Sequence, residues 1–81
     1  MNADNFVSTL FALPPSGQRT ILTDLHARYQ HGHLAQKLSS ERSWIDSVRK
    51  KILDGSEIMP PMAKYILKSN VKTYLDDVLK N

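Results

Sequence analysis

Cationic side chains are concentrated in the middle of the chain, where they could bind a polyanion. The 81-residue sequence carries eleven Lys and Arg against eight Asp and Glu, for a formal net charge of +3 and a pI near 9.4. Residues 1–30 and 69–81 each hold two cations and two anions, so the surplus lies in residues 31–68. The cations there are Lys37, Arg42, Arg49, Lys50, Lys51, Lys64 and Lys68, and the anions are Glu41, Asp46, Asp54 and Glu57. A net charge of +3 fits many solvated surfaces, but its confinement to one stretch makes a polyanionic partner worth testing. The run 49–51 also fits a solvated helix C-terminus, where cations complement the helix dipole.

Few residues support metal or catalytic chemistry. His26, His31 and His33 lie close together, and Asp24 and Glu41 are the nearby carboxylates that could complete a zinc site. Loop histidines or phosphate contacts explain these residues more simply, so we expect no metal and no cofactor; protonation below about pH 6.5 would add positive charge there. The chain has no cysteine nucleophile, only three glycines and no Ser/His/Asp spacing typical of a catalytic triad. We therefore expect no enzymatic activity.

Length and composition favour one small domain that spans residues 1–81. A chain of this size buries only roughly 60% of its unfolded surface, and without cysteine it has no disulfide to stabilise it. Its fold must therefore come from packed apolar side chains. No apolar run approaches the roughly 18 residues of a membrane span, and the N-terminus lacks a basic-then-apolar signal. We expect a cytoplasmic protein that is neither exported nor inserted into a membrane.

Helix-breaking residues divide the sequence into an all-α fold, a compact bundle of about five short helices. An N-terminal helix over 3–12 follows the possible cap Asn2 and ends before the prolines of 14–17. Four helices follow, at 17–30, 41–53, 60–68 and 71–80, with a very short helical segment at 33–38 and breaks at 30–32, 54–56 and 69–70. Gly55 is placed as the C-terminal cap of 41–53. Met62, Tyr65 and Ile66 are the apolar residues of 60–68.

Three apolar sets have more than one interpretation. Phe6, Leu10, Phe11 and Leu13 are more than a short helix needs on one side, so they either complete the core or form a dimer contact. The apolar face of 71–80 is the other dimer candidate. The predicted inner face of 41–53 holds Trp44, Ile45, Val48 and Ile52. Trp44 fits the core better, although it could instead mark a groove for a partner.

Residues 33–53 show the spacing of a helix-turn-helix. Ala35 is the small residue at which two short helices could cross, between the apolar residues Leu34 and Leu38. Residues 39–41 (Ser-Ser-Glu) form the predicted turn, and Ile45 and Val48 follow Ala35 by ten and thirteen residues. This segment resembles the DNA-binding unit of phage Cro and repressor proteins, the lambda-repressor-like family. The similarity continues through Asp54-Gly55 and the two following helices, and it covers about residues 17–79.

The resemblance implies a sequence-specific transcriptional regulator of phage or plasmid type that binds double-stranded DNA as a homodimer. Helix 41–53 would occupy the major groove. The residues that would contact base edges are Glu41, Arg42, Ser43, Asp46 and Ser47, with Arg42 suited to guanine. The residues that would contact phosphates are Lys37, Arg49, Lys50, Lys51 and Lys64.

The alternative function is a small helical protein-binding module, such as a phage-encoded inhibitor or adaptor that acts on a host protein. In that case the contact surface would be the apolar N-terminal helix, or Trp44 with its neighbours. DNA binding predicts that Arg42→Ala and Lys50→Ala abolish function without unfolding the chain, whereas protein binding predicts this of an apolar change such as Phe11→Ser.

Overall fold

Helices make up almost all of the part of the chain that the computed structural model describes, residues 2–30 and 39–80. They are α1 (Ala3–Phe11), α2 (Pro15–Gln30), α3 (Ser39–Ser56) and α4 (Pro61–Asn70), then a π-helical segment (Val71–Asp76) and α5 (Asp77–Lys80). No strand occurs in the described ranges, which confirms the predicted all-α class. None of the helices in these ranges is both long and apolar enough to cross a membrane.

The last three elements form one continuous helix, residues 61–80, which we call the C-terminal helix. Its backbone stays in the right-handed helical region at both junctions, with φ/ψ of −59°/−47° at Val71 and −64°/−41° at Asp77. The described ranges therefore hold four helices rather than about five, and the predicted break at 69–70 is wrong. Ser and Asn disfavour a helix only slightly, and burial of Leu67, Val71 and Leu75 stabilises the continuous helix. In an α-helix, each residue is rotated by roughly 40° around the helix axis relative to the residue four positions earlier. A wider π turn reduces this rotation, so buried residues at four-residue spacing stay on one side of the helix.

The corner between α1 and α2 follows the predicted signals with a small shift. The Asn2 side chain accepts a hydrogen bond of 2.8 Å from the amide of Asn5, so the predicted cap is confirmed. Helix α2 begins at Pro15 rather than at residue 17, because proline is tolerated in a first turn, where its missing N–H has no partner to lose. The buried Gln18 side chain donates a 3.2 Å hydrogen bond to the carbonyl of Leu10 and fixes the two helices together.

Helix α3 is longer than the predicted 41–53 at both ends. The predicted turn residues 39–41 form its first turn, where serine and a carboxylate suit the unpaired amides and the helix dipole. The prediction that Gly55 ends the helix is wrong, since α3 continues through Ser56. A methyl group at Gly55 would lie only 2.3 Å from Cε2 of the Phe11 ring. Glycine is therefore placed here for close packing between α1 and α3.

One core joins all four helices of the described ranges. Its buried apolar residues are Val7, Leu10, Leu22, Leu25, Tyr29, Ile45, Val48, Ile52, Leu67, Val71, Leu75 and Val78. Phe6 and Phe11 pack against this core. Of the two interpretations of the N-terminal apolar set, these two residues therefore fit completion of the core. The apolar face of 71–80 likewise packs inside the chain.

The helix-turn-helix arrangement stays a prediction. Its first helix, 33–38, lies outside the described residues, together with Lys37, His31 and His33. Of the two predicted helices of this arrangement, the described ranges include only the second, 41–53, which lies within α3.

Candidate functional site

The residues predicted to contact base edges do not share one side of α3. Ile45, Val48, Ile52 and Ser56 are buried. From the helical repeat, the opposite side, which we call the α3 face, carries Ser43, Asp46, Ser47, Lys50 and Asp54. Glu41 lies away from this face, near Tyr29. Burial, and then the negative charge of Glu41, raise the pKa of the Tyr29 phenol. Among its ionisable groups the α3 face has one cation and two anions.

Arg42, the leading candidate for a guanine contact, interacts with the far end of the C-terminal helix. Its Nη2 donates a hydrogen bond to the carbonyl oxygen of Leu79. The last four carbonyls of a helix have no partner within the helix, and an arginine is well suited to satisfy one of them. This contact gives Arg42 a structural role, which is to attach the start of α3 to the end of the C-terminal helix.

Two of the cations predicted to contact phosphates connect α3 to its neighbours. Nε of Arg49 lies 2.6 Å from Oδ1 of Asp76, and both side chains are one-third exposed. Nζ of Lys51 lies 2.8 Å from Oδ1 of Asp4 in α1. These pairs join α3 to the π-helical segment on one side and to α1 on the other.

The remaining described candidates for phosphate contacts are paired as well. Nζ of Lys50 is 3.0 Å from Asp46, four residues earlier on the α3 face. Nζ of Lys64 is 2.7 Å from Oε2 of Glu57, whose other oxygen lies 3.3 Å from Nζ of Lys68. Hydrogen bonds from Lys64 and then Lys68 lower the pKa of Glu57. Each described candidate for phosphate binding thus has a carboxylate within the chain.

A second surface exposes large apolar side chains, and we call it the apolar patch: Ile58, Met62, Tyr65 and Ile66. Their exposed fractions are 93%, 71%, 71% and 36%. Ile58 lies in the turn between α3 and α4, and the other three share one side of α4, since they are three and four residues apart. The buried residue of α4 is Leu67. A monomeric protein scatters such residues singly, whereas a cluster of them indicates an interaction surface.

The turn that carries Ile58 is fixed at both ends. The fully buried Ser56 donates a 2.8 Å hydrogen bond from Oγ to the carbonyl of Leu53, and its own carbonyl accepts one from the amide of Met59. Pro60 and Pro61 then begin α4 with restricted φ angles. The Glu57 carboxylate bridges this turn to Lys64 and Lys68. The backbone that carries Ile58 and begins α4 is therefore held in place before any partner binds.

A groove of about 530 Å³ opens beside Trp44. Phe6, Ile21, Leu25 and Tyr29 are among the residues that line it. The Trp44 ring packs edge-on against Phe6, with centroids 5.2 Å apart, and it is partly buried on the core. Trp44 thus belongs to the core and also borders a groove.

Polar side chains between α2 and the C-terminal helix form a small cluster. His26 Nε2 lies 2.8 Å from Oδ2 of Asp77, and the His26 ring meets the Tyr74 ring edge-on. Hydrogen bonds from Thr23 and then Arg19 lower the pKa of the Tyr74 phenol. The described residues contain no group of three ligands suited to a metal ion. What the cluster does is connect the two helices.

The apolar patch is the feature that sequence reasoning missed. Residues 62–67 include five apolar side chains in six positions, which is more than one buried face of a short helix can use. Leu67 fills the core, so Met62, Tyr65 and Ile66 are left outside. Ile58 lies in the turn before Pro60 and Pro61, so helical spacing does not relate it to Met62. In the sequence it shows only as one more apolar residue close to this segment.

Comparison of the chain with protein-family models, with curated proteins and with solved structures gives no match in any of the three. Its function is therefore argued from its own side chains.

Proposed function

We propose that this chain is a small helical protein-binding module whose contact surface is the apolar patch. The observation that carries the proposal is the exposure of Ile58, Met62, Tyr65 and Ile66, whereas Ile45 and Ile52 are fully buried in the core. Covering apolar surface contributes about 25 cal/mol per Å². Tyrosine is also enriched among the residues that dominate binding energy at protein interfaces.

The rigid backbone and the adaptable side chains of the apolar patch suit this role. A turn fixed by hydrogen bonds and a helix that begins with two prolines leave little conformational entropy to lose on binding. Methionine adapts to irregular partner surfaces, since its side chain is unbranched and polarisable. The contact surface differs from the one expected from the sequence, because Phe6 and Phe11 of α1 pack on the core.

DNA binding, which the repressor-like resemblance implies, stays a prediction. Its described phosphate candidates Arg49, Lys50, Lys51 and Lys64 are each paired with a carboxylate. Phosphates would therefore have to displace these partners. The α3 face also carries more anions than cations, and anions near phosphates repel them. These two features favour a protein partner over DNA.

Site-specific photo-crosslinking in cells of the organism that encodes the chain tests the proposal. We expect Tyr65→p-benzoylphenylalanine to give a protein adduct of defined mass. The matched controls are Ser43→p-benzoylphenylalanine and Lys50→p-benzoylphenylalanine, at exposed positions of the α3 face, and we expect neither to give it. An adduct at the α3 positions alone would contradict the proposal.

Fluorescence anisotropy tests DNA binding separately, with a labelled duplex from the region that flanks the gene and an unrelated duplex, across about 50 to 200 mM salt. Lys50→Ala is the informative variant, because Lys50 is exposed and paired only within α3, whereas Arg42 also holds the C-terminal helix. Tight binding that prefers the flanking duplex and is lost in Lys50→Ala would support the regulator.

A further inference from the structure

A row of lysines borders the apolar patch on one side. Lys64, Lys68 and Lys72 follow one another at four-residue spacing along the C-terminal helix. Lys68 is three residues beyond Tyr65, so the two side chains lie roughly 60° apart around the helix. The opposite edge, beside Ile66, carries the uncharged residues Ala63 and Asn70. Among the residues of the C-terminal helix, charge is therefore present on one edge of the apolar patch and absent from the other.

The lysine row keeps a positive charge after its contacts within the chain are counted. Glu57 neutralises one charge while it contacts both Lys64 and Lys68, at 2.7 and 3.3 Å. Lys72 is exposed, and none of the ion pairs among the described residues involves it. Three cations against one anion leave a surplus of two positive charges beside Tyr65, on the surface that we propose binds protein.

We infer that the partner segment is an amphipathic helix with an apolar face and an acidic edge, which packs along α4 with its acidic edge against Lys68 and Lys72. This inference rests on the proposed function and adds the chemistry of the partner. Addition of a strand requires an open sheet edge, and the described part of the chain has no strand. The contact from Met62 to Lys72 spans roughly 15 Å at 1.5 Å per residue, which about three turns of a partner helix would cover.

Charge complementarity disfavours a second copy of this chain as the occupant. If two copies packed antiparallel through the apolar patch about a two-fold axis, like edges would face each other, and the two lysine rows would meet. If they packed parallel, each lysine row would face the uncharged edge of the other copy. Apart from Glu57, which already contacts Lys64 and Lys68, neither arrangement gives the lysines a carboxylate partner. An acidic partner helix would supply carboxylates to these lysines. Charges at the edge of an interface raise the association rate and make binding sensitive to salt.

A matched pair of helical 16-residue peptides tests the inference against the full-length chain. Both peptides have the same leucine face, and the edge positions are Glu in one and Lys in the other. By fluorescence anisotropy in 50 mM NaCl we expect the Glu peptide to bind at least tenfold more tightly, with a smaller difference in 300 mM NaCl. We expect Lys68→Glu/Lys72→Glu to reverse the preference and Tyr65→Ser to weaken binding of both peptides. Circular dichroism checks that each variant remains folded.

The possible failures are distinguishable. Equal binding of the two peptides that is lost in Tyr65→Ser would overturn the acidic edge and leave the proposed function standing. Absence of binding by either peptide, with no adduct in the crosslinking experiment, would overturn both. Self-association in sedimentation that Tyr65→Ser abolishes would identify a second copy as the occupant and overturn the inference. Binding to phosphatidylserine vesicles but to neither peptide would overturn it in favour of a membrane surface.

Discussion

The cations of α3 and the apolar side chains of the patch differ in how far they are satisfied within the chain. Around α3, Arg42, Arg49 and Lys51 contact other helices, and Lys50 contacts Asp46 on the same helix. In the apolar patch, Ile58, Met62 and Tyr65 remain largely exposed. A cation that already has a partner must give up part of that contact to make a new one, whereas exposed apolar surface still has free energy to gain by burial. A concentration of charge in a sequence is therefore weaker evidence for a binding surface than apolar residues that the core cannot accommodate.

The largest expected effect on stability comes from replacing one isoleucine by alanine in each of the two regions. Ile52 in α3 is fully buried, whereas Ile58 in the apolar patch is 93% exposed. We expect Ile52→Ala to lower the free energy of unfolding by about 3 kcal/mol, through lost burial and a residual cavity. Ile58→Ala should change it by less than about 0.5 kcal/mol. Urea denaturation followed by circular dichroism measures both, and a comparable loss at the two positions would mean that Ile58 belongs to the core.

Gly55 gives the next largest effect and tests the contact between α1 and α3. We expect Gly55→Ala to destabilise the chain by about 1 kcal/mol, because the new methyl group would overlap the Phe11 ring. In a Phe11→Ala background the same change should become stabilising, since alanine favours a helix interior over glycine by up to about 1 kcal/mol. If Gly55→Ala destabilised both backgrounds equally, the glycine would instead be needed for its backbone conformation. Thermal and urea denaturation of the four chains completes this double-mutant cycle.

The sequence predicted the helical class, the cap at Asn2 and the inner face of α3, because each depends on local spacing or on one side chain and a nearby amide. It did not predict how Gly55 is used or that residues 61–80 form one helix. Those features depend on Phe11 and on the core contacts of Val71 and Leu75, which are distant in sequence. Of the candidate sites, the cations were found as a group, but their pairing with Asp4, Asp76 and Glu57 could not be predicted from spacing. The apolar patch was visible only as an excess of apolar residues.

The ion pairs of α3 should themselves differ in importance. Arg49 and Asp76 are each one-third exposed and connect two helices, so we expect Arg49→Ala to cost about 1 kcal/mol, at the upper end of the range for accessible pairs. Lys50→Ala removes an exposed pair within one helix and should cost about 0.3 kcal/mol. Urea denaturation of the two variants, and of Asp76→Ala with and without Arg49→Ala, measures the difference. Equal, negligible effects would leave Arg49 available for a phosphate.

The smallest effect concerns the pH dependence of the turn that carries Ile58. Hydrogen bonds from Lys64 and Lys68 lower the pKa of Glu57 below its ordinary value of 4.5. A carboxyl group whose pKa is lower in the folded than in the unfolded chain stabilises the fold above the unfolded pKa, and this stabilisation is lost as the pH falls through the folded pKa. We therefore expect the unmodified chain to be slightly more stable than Glu57→Gln at pH 7. The difference should begin to shrink as the pH falls below about 4.5 and should vanish once the pH is below the folded pKa of Glu57.

Urea denaturation at several pH values between 7 and 2 measures this difference. Lys72→Gln is the matched control, since it removes a cation of the same row that does not contact Glu57, and its pH dependence should follow that of the unmodified chain. A constant difference between the unmodified chain and Glu57→Gln across the range would show that the lysines do not hold the carboxylate in solution. The turn would then depend on Ser56 and the two prolines alone, and all three lysines of the row would be available to an acidic partner.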